Sequence, residues 1–258
     1  MARIVAVANQ KGGVGKTTSS INLAAALALE GTSVPLVDID PQANATSGLG
    51  VNAGSLGRTI YHSLIHGDET HSIVLDTGIK GLALLPANSH LAGAEVELVD
   101  VEGRERRLLA ALQPLEQSYD MILIDCPPAL GLLTINALAS AHSVLVPVQC
   151  EYYAMEGLGR LMESIERIRQ SVNPALEIEG ILLTMYDSRN SLARQVADQI
   201  RAHFAGKVYE TMIPRNVTLA EAPSYGRPVL LYNAASAGAK AYLSLAKEFV
   251  AHGEKSAR

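Results

Sequence analysis

A glycine-rich segment near the start of the chain, residues 11–18 with the sequence KGGVGKTT, constrains the fold more than any other feature. It follows an apolar run, Ile4–Ala8, that is typical of a buried strand. It precedes an Ala- and Leu-rich pattern that continues to Leu29 and predicts a helix. A strand that leads through such a turn into a helix can wrap backbone N–H groups around phosphates, and the helix N-terminus adds partial positive charge. The segment therefore predicts a nucleotide-binding site.

This segment departs from the usual phosphate-binding pattern, G-x-x-x-x-G-K-[ST]. Gln10 stands where the first glycine is expected, and a second lysine, Lys11, lies five residues before Lys16. Lys16 is expected to reach the β- and γ-phosphates, and the Thr17 hydroxyl to ligate Mg²⁺. Lys11 either points at its own nucleotide or reaches across an interface to the nucleotide of a partner. The other predicted nucleotide-binding residues of the segment are Gly12, Gly13, Val14, Gly15 and Thr18.

The composition permits a large hydrophobic core and limits the ways in which the surface can bind nucleic acid. Of the 258 residues, 48% are apolar, 18% are charged and only 4% are aromatic, so aliphatic side chains are expected to fill the core. The net charge of −5 excludes a uniformly basic surface, and any nucleic-acid contact must use a local patch. With no leader pattern and no apolar run near the ~20 residues of a membrane span, the chain is expected to be cytoplasmic.

Apolar runs alternate with helical patterns along the chain, which predicts an α/β fold with a doubly wound, mainly parallel sheet flanked by helices. Strands are expected at residues 4–8, 34–38, 82–86, 121–125, 143–148, 180–184 and 208–213. Helices are expected after Lys16 and Leu130, and at 94–112, 155–170, 192–203 and 238–250, with a loop and short helix at 44–57. The predicted organisation is one domain, 1–252, and a short disordered tail, 253–258.

Acidic residues lie at the predicted ends of two strands. Asp38 and Asp40 follow the second strand, and Asp125 closes the fourth. Ligands of open parallel sheets bind beyond the carboxyl ends of the strands, so these carboxylates are expected near the phosphates. Asp125 is expected to hold the hydration shell of Mg²⁺ beside Thr17. One of the other two aspartates can orient the attacking water, and Asp38 could equally contact the metal or brace the loop.

Several motifs together resemble the ParA/MinD family of P-loop ATPases with a deviant Walker A segment, and in particular its Soj-type partitioning proteins. They are residues 11–18, DIDPQAN at 38–44, DCPP at 125–128, EYYAMEG at 151–157, IPRNV at 213–217 and EAPS at 221–224. The resemblance covers nearly the whole chain. It implies an Mg²⁺-dependent ATPase, with ATP and Mg²⁺ as cofactors, that forms a sandwich homodimer when ATP binds.

The resemblance also implies roles for individual residues. Lys11 would cross to the phosphates of the partner and, with Lys16 and Asp40, form the catalytic set. Asp40 would position or activate the attacking water and contact Mg²⁺ through water. Glu151 would lie near the dimer seam, where it can pair with a crossing lysine. The segment that resembles the adenine-side loop of the family consists of Pro214, Arg215 and Asn216.

By the same resemblance, the ATP-bound dimer binds double-stranded DNA without sequence preference. A ParB-type centromere-binding protein then stimulates hydrolysis and releases the dimer, which segregates a chromosome or plasmid and places the chain on the nucleoid. Arg189 matches a DNA-contacting arginine of the family, and Arg194 and Lys240 could add to the patch. Relatives often carry further arginines where this chain has Thr218, Leu231, Ala235 and Ala237, so fewer phosphate contacts are expected.

Two alternatives share the same nucleotide site. A MinD-like membrane-associated positioning ATPase needs a C-terminal amphipathic helix, whereas the apolar positions of residues 241–250 predict a helix packed on the body of the protein. An iron–sulfur reductase of the nitrogenase iron-protein type needs cysteines for a cluster shared across a dimer. Cys126 and Cys150 are instead expected to be buried small residues.

Overall fold

A single sheet organises the chain, and the computed structural model describes residues 1–256, with the backbone only for 254–256. Within these residues the sheet has seven strands, in the order β3-β4-β2-β5-β1-β6-β7. They are β1 (Arg3–Val7), β2 (Val34–Asp38), β3 (Leu75–Ile79), β4 (Leu82–Leu85), β5 (Met121–Asp125), β6 (Ser143–Gln149) and β7 (Glu177–Thr184). All neighbouring strands are parallel except β3 and β4. The predicted fold class is confirmed.

Helices cover both faces of the sheet. They are α1 (Lys16–Leu29), α2 (Asn44–Gly48), α3 (Ile60–His66), α4 (Leu91–Glu97), α5 (Arg107–Leu112), α6 (Leu132–Ser140), α7 (Ala154–Ser171), α8 (Ser191–His203), α9 (Val217–Glu221), α10 (Val229–Tyr232) and α11 (Ala237–Ser256). Side chains alternate along each strand, so β1 sends Ile4 and Ala6 into one core and Val5 and Val7 into the other. The strands at the centre are therefore apolar on both faces.

The register of the central strands aligns their carboxyl ends. Val7 at the end of β1 lies opposite Asp125 at the end of β5, and Asp125 lies opposite Asp38 at the end of β2. The glycine-rich segment leaves β1 at this same edge. The strand-end carboxylates and the glycine-rich segment thus meet because of the parallel register, as predicted from the sequence.

One predicted strand, residues 208–213, is wrong as a strand. Its main chain bonds to the edge of β7 only at isolated points, with Tyr209 N donating to the Ile181 carbonyl at 3.0 Å and Ile213 N to the Leu183 carbonyl at 2.9 Å. The amides between them, of Glu210 and Thr211, donate instead to the carboxylate of Glu248 on α11 at 2.7 and 3.0 Å. For these two backbone amides, the Glu248 side chain is the hydrogen-bond acceptor, where a regular strand would bond to its neighbour in the sheet.

The predicted helix 94–112 is also wrong as a single element. Helix α4 ends at Glu97, and a left-handed turn at Gly103, with φ of 69°, precedes a 3₁₀ turn and α5. Glycine adopts this conformation without the steric cost that other residues bear. The charged residues around Glu102 therefore lie in a break between two short helices.

The last helix packs on the body of the protein. The side chains of Tyr242, Leu245 and Phe249 are fully buried, and the hydroxyls of Tyr242 and Ser19 lie 3.0 Å apart, which joins α11 to α1. The helix continues through Ser256, so the expected disordered tail is helical over 253–256, and its last residues, 257–258, lie outside the described residues. None of the helices in residues 1–256 has the length and apolarity needed to cross a bilayer.

Candidate nucleotide-binding site

A cleft of about 640 Å³ opens at the carboxyl edge of the sheet. It brings together three segments that are distant in sequence: the glycine-rich loop, Asp40, and the residues that follow Ile213. Predicted site residues that line the cleft are Gly12, Gly13, Gly15, Lys16, Thr17, Thr18, Asp40, Pro214, Arg215 and Asn216. Val14 and Asp125 are buried behind this lining, and Lys11 and Glu151 lie outside it.

The glycine-rich loop is shaped by left-handed backbone at two of its glycines. Gly13 has φ of 74° and Gly15 has φ of 87°, and Gly15 directly precedes the first residue of α1. Apart from each glycine and its two chain neighbours, no described atom lies within 4 Å of the position that a Cβ would take on Gly12 or Gly13. The loop therefore leaves open space in front of the α1 N-terminus, where backbone N–H groups and the helix dipole favour an anion.

Lys16 is the first residue of α1 and its side chain is largely buried, with 7% of the residue exposed. Its ammonium donates to the Lys11 carbonyl oxygen at 3.2 Å. Burial lowers the pKa of Lys16, and the nearby Asp125 carboxylate opposes this shift. A phosphate in the open space would supply the compensating negative charge that a buried ammonium lacks.

Asp125 is fully buried and only half satisfied. Ser20 Oγ donates to Asp125 Oδ1 at 2.7 Å, whereas Asp125 Oδ2 has no hydrogen-bond partner among the described residues. Burial, together with the charge of Asp38, raises the pKa of Asp125 to about 7. An acceptor left unpaired in the interior costs about 1–3 kcal/mol. Water molecules on a bound Mg²⁺ would supply the missing donors, so these residues fit a hydrated Mg²⁺ beside Thr17.

The other two carboxylates differ in what they contact. Asp38 accepts hydrogen bonds from Thr46 N at 2.8 Å, Thr46 Oγ1 at 2.7 Å and Asp40 N at 3.1 Å, so it braces the loop that follows β2. Burial raises the pKa of Asp38 to about 6. Asp40 lines the cleft, and its Oδ1 accepts from Gln42 N at 2.9 Å, which fixes the orientation of the carboxylate. Of the two roles considered for Asp38, its contacts are those of a loop brace.

Replacing Asp125 with Asn is expected to reduce the loss of stability with rising pH in the metal- and nucleotide-free protein. The folded chain binds more protons than the unfolded chain, because burial raises the pKa of Asp125 from 3.8 to about 7. Its contribution to stability is therefore complete below about pH 4 and lost as pH rises through about 7. Thermal denaturation at pH 5 and pH 8 measures the effect, at about 2–4 °C per kcal/mol for a chain of this size.

Asp198→Asn provides the matched control for this experiment, because Asp198 is exposed on α8. We expect the control to keep the pH dependence of the wild-type protein. An Asp125→Asn variant whose melting temperature falls between pH 5 and pH 8 as much as that of the wild type would contradict the assigned pKa.

Lys11 and Glu151 form an ion pair within the chain at the rim of the cleft. Lys11 Nζ lies 2.8 Å from Glu151 Oε2, and the two side chains are 40% and 48% exposed. Gln149 also donates to the Glu151 carboxylate. Sequence reasoning placed Glu151 near a crossing lysine, and it missed the pairing of Glu151 with the lysine of its own chain.

The segment after Ile213 closes the opposite side of the cleft. Its backbone is joined to the end of β7: Tyr186 N donates to the Ile213 carbonyl at 3.0 Å, and Arg215 N donates to the Tyr186 carbonyl at 3.1 Å. The Oδ1 atom of Asn216 is buried and has no hydrogen-bond partner among the residues that the structure describes. The segment that lines this part of the cleft thus contains a buried acceptor that is not used within the described residues.

Some residues of the cleft were missed by the sequence analysis. Thr184, the last residue of β7, donates from Oγ1 to the Val14 carbonyl at 2.8 Å and so ties the glycine-rich loop to this strand. Met185 follows with φ of 48°, an uncommon conformation for a residue with a side chain. Their position after a strand could have identified them, by the reasoning used for the aspartates. Tyr242 also lines the cleft, and its sequence gives no such signal.

The basic residues predicted to contact DNA lie on two elements. Arg189 precedes α8 and its side chain is 89% exposed, and Arg194 on α8 donates from Nη1 to the Ser188 carbonyl at 3.2 Å. Lys240 is exposed near the start of α11. The structure brings Arg189 and Arg194 to the same end of one helix, and Lys240 belongs to another helix.

The two cysteines are buried, as expected. Cys126 is 0% exposed and Cys150 is 6% exposed. Burial raises the pKa of Cys150 to about 11 and raises the pKa of Cys126 well above its ordinary value. Both side chains are therefore neutral thiols near neutral pH, packed as small apolar groups.

Comparison with known proteins agrees with this geometry. A family model described as an AAA domain matches residues 2–178. The chain is 52% identical to the sporulation initiation inhibitor protein Soj of Bacillus subtilis, and the alignment covers 98% of this chain and 100% of Soj. The chain belongs to the ParA/MinD family of ATPases and is of the Soj type. This Soj-type chain is also 51% identical to the chromosome partitioning protein ParA of Myxococcus xanthus, over 97% of this chain and 88% of that protein.

A solved structure supports the same architecture. The crystal structure of cobyrinic acid a,c-diamide synthase from Mycobacterium smegmatis with bound ATP analogue and magnesium superposes on the Soj-type chain with a TM-score of 0.87. The two are 39% identical, and the superposition covers 100% of this chain and 98% of the other. The layers, sheet and loop described above are therefore shared with a nucleotide-loaded protein.

Proposed function

We propose that this chain, a chromosome-partitioning ATPase of the Soj type, couples ATP-dependent dimerisation to DNA binding. The chain hydrolyses ATP to ADP and phosphate, with Mg²⁺. The observation that carries the assignment to the cleft is a pair of buried acceptors that have no hydrogen-bond partner within the part of the chain that the structure describes, Asp125 Oδ2 beside the glycine-rich loop and Asn216 Oδ1 in the segment after Ile213. Each is the kind of acceptor that a different part of Mg²⁺-bound ATP would satisfy.

The phosphate side of the cleft supplies charge and orientation. Lys16 would exchange the Lys11 carbonyl for oxygens of the β- and γ-phosphates, and Thr17 would hold Mg²⁺ directly, with Asp125 and Asp40 acting through water. When bound, Mg²⁺ neutralises charge that develops on the phosphates. Asp40, fixed by Gln42 N, would orient the attacking water toward the γ-phosphate. Catalysis of this kind consists mainly of positioning and charge stabilisation.

The base side of the cleft favours adenine. Adenine carries an exocyclic amino group that donates hydrogen bonds, whereas guanine has a carbonyl oxygen at the corresponding position. The unpartnered Oδ1 of Asn216 suits the donor and would oppose the carbonyl. Ile213 and Arg215, on either side of Pro214, hold the segment before Asn216 in place through their main-chain bonds to Tyr186.

Dimerisation would complete the site through Lys11. The ion pair of Lys11 with Glu151 is about half exposed, and pairs of this kind are worth about 0–1 kcal/mol. A triphosphate of the partner subunit offers more negative charge than one carboxylate, so Lys11 can exchange Glu151 for those phosphates at little cost. ATP binding and subunit pairing would then be a single linked equilibrium.

DNA binding would follow from pairing two copies of a weak patch. Arg189, Arg194 and Lys240 give few phosphate contacts in one chain, and a dimer presents twice as many to one duplex. A ParB-type protein would stimulate hydrolysis and so dissolve the dimer on the nucleoid. A membrane target is not favoured by this geometry, because the large apolar residues Tyr242, Leu245 and Phe249 of α11 are buried in the body of the protein.

DNA binding in different nucleotide states tests the proposal. A mobility-shift assay at low salt should detect a complex with ATP and a more persistent complex for Asp40→Ala with ATP, and much weaker binding with ADP or no nucleotide. The absence of any complex near ~50 mM salt, where electrostatic binding is strong, would contradict DNA binding by the dimer.

A further inference from the structure

Asp187 and Arg189, in the segment between β7 and α8, are joined by three hydrogen bonds. The backbone N and the Nε of Arg189 donate to Asp187 Oδ1 at 3.0 and 2.9 Å, and Arg189 Nη2 donates to Asp187 Oδ2 at 2.8 Å. The Arg189 side chain is 89% exposed and that of Asp187 28% exposed. The guanidinium thus faces solvent while one of its edges is already occupied by a carboxylate of the same chain.

The main chain on both sides of Asp187 is held in place, and the backbone N of Arg189 bonds to the carboxylate itself. The preceding residue, Tyr186, is bonded through its main chain to Ile213 at 3.0 Å and to Arg215 at 3.1 Å, and Asn190 N donates to the Asp187 carbonyl at 3.0 Å. Most exposed ion pairs are weak partly because two mobile side chains must be ordered. Here the backbone N–H of Arg189 and the bonded main chain already orient the Asp187 carboxylate, so less entropy is lost when the guanidinium pairs with it. The hydrogen bonds from Arg189 lower the pKa of Asp187 to about 2, so the carboxylate is charged near neutral pH.

We propose that Asp187 occupies the Nε–Nη2 edge of Arg189 as an internal substitute for a DNA phosphate, so that a phosphate must displace this carboxylate before it can pair with that edge. This inference rests on the proposed DNA-binding function. A carboxylate and a phosphate both accept two parallel N–H bonds from one edge of a guanidinium, so they compete for the same donors. The competition favours a partner with closely spaced phosphates, a duplex, over an isolated anion, because only several simultaneous contacts compensate for the displaced carboxylate.

Asp187→Asn tests the competition. We measure the dissociation constant of the protein for a duplex of random sequence by fluorescence anisotropy, with a non-hydrolysable ATP analogue and at several salt concentrations. Loss of an exposed pair corresponds to an affinity gain of about two- to five-fold per subunit. The slope of log affinity against log salt should steepen by about 0.9 per subunit, because the freed arginine releases one more counterion from DNA. An unchanged affinity and slope, with wild-type DNA binding intact, would overturn the inference and leave the proposed function standing.

Two further variants separate competition from a simple change of net charge. In an Arg189→Ala background, Asp187→Asn should no longer increase DNA affinity, since the arginine it acts through is absent. The same gain in that background, or an equal gain from Asp198→Asn on α8, would show that Asp187 acts only as a negative charge and would overturn the inference. If neither the wild type nor Asp187→Asn binds DNA with the ATP analogue, the proposed DNA-binding function fails, and the competition fails with it.

Discussion

Replacing Lys11 with Ala should eliminate the ATP-dependent dimer and lower the rate of ATP hydrolysis by at least about 100-fold, the range expected when a positioned cation is removed from developing phosphate charge. Lys11 lies outside the cleft of its own chain, at the rim, where its ammonium contacts Glu151 at 2.8 Å. If its functional target is the nucleotide of the partner subunit, one substitution removes both the contact that joins the subunits and part of the charge stabilisation. Gel filtration with a non-hydrolysable ATP analogue and a phosphate-release assay measure the two effects.

A second variant distinguishes the effect of breaking the Lys11–Glu151 ion pair from the effect of removing the lysine that would contact the nucleotide of the partner. Glu151→Gln breaks the same pair while leaving Lys11 in place, so we expect this variant to keep the ATP-dependent dimer. Lys80→Ala, which removes an exposed lysine from the turn between β3 and β4, serves as the matched control for loss of charge. An unchanged dimer peak for Lys11→Ala would refute the crossing role. Equal losses for Lys11→Ala and Glu151→Gln would show that the pair within one chain is what matters.

The parts of the fold that could be predicted are those in which local pattern and tertiary environment agree. Strands β2 and β5 are apolar on both faces, and their predicted bounds match the structure because a fully buried strand needs a continuous apolar run. Strand β3 was missed because it lies at the sheet edge with alternate residues exposed, so the sequence LDTGI carries no such run. Residues 208–213 have the composition of a strand, but Glu248 takes the backbone donors that a ladder would need.

In the candidate site, too, the positions of residues could be predicted from the sequence, whereas their individual contacts could not. The loop residues and Asp125 could be located from spacing alone, because parallel strands bring their carboxyl ends to one edge. What each carboxylate does could not be derived, since it depends on partners that are close only in the fold. Asp38 is identical in type to Asp40 and two residues away, yet Thr46 turns it into a loop brace. The pairing of Lys11 with Glu151, 140 residues apart, leaves no trace in local sequence.

Asp40→Ala should lower the rate of ATP hydrolysis by about 10²–10⁴-fold, the usual effect of removing a group that orients or activates the attacking nucleophile. ATP affinity should change little, because Asp40 contributes neither to the glycine-rich loop nor to the segment after Ile213. The ATP-bound dimer should therefore accumulate. Single-turnover hydrolysis and equilibrium binding of a fluorescent ATP analogue measure the two quantities separately.

The choice between a chemical and a structural role for Asp40 depends on a second substitution. Asp40→Asn keeps an acceptor for the Gln42 amide, 2.9 Å away in the wild type, and removes only the negative charge. If the carboxylate acts on water, this variant should be nearly as inactive as Asp40→Ala, since an amide is a much weaker base. If Asp40 merely supports the turn, Asp40→Asn should hydrolyse ATP at close to the wild-type rate, and that result would contradict the catalytic assignment. Asp38→Ala serves as the comparison for a purely structural role. This variant loses three hydrogen bonds inside the protein, so its melting temperature should fall, whereas that of Asp40→Ala should stay nearly unchanged.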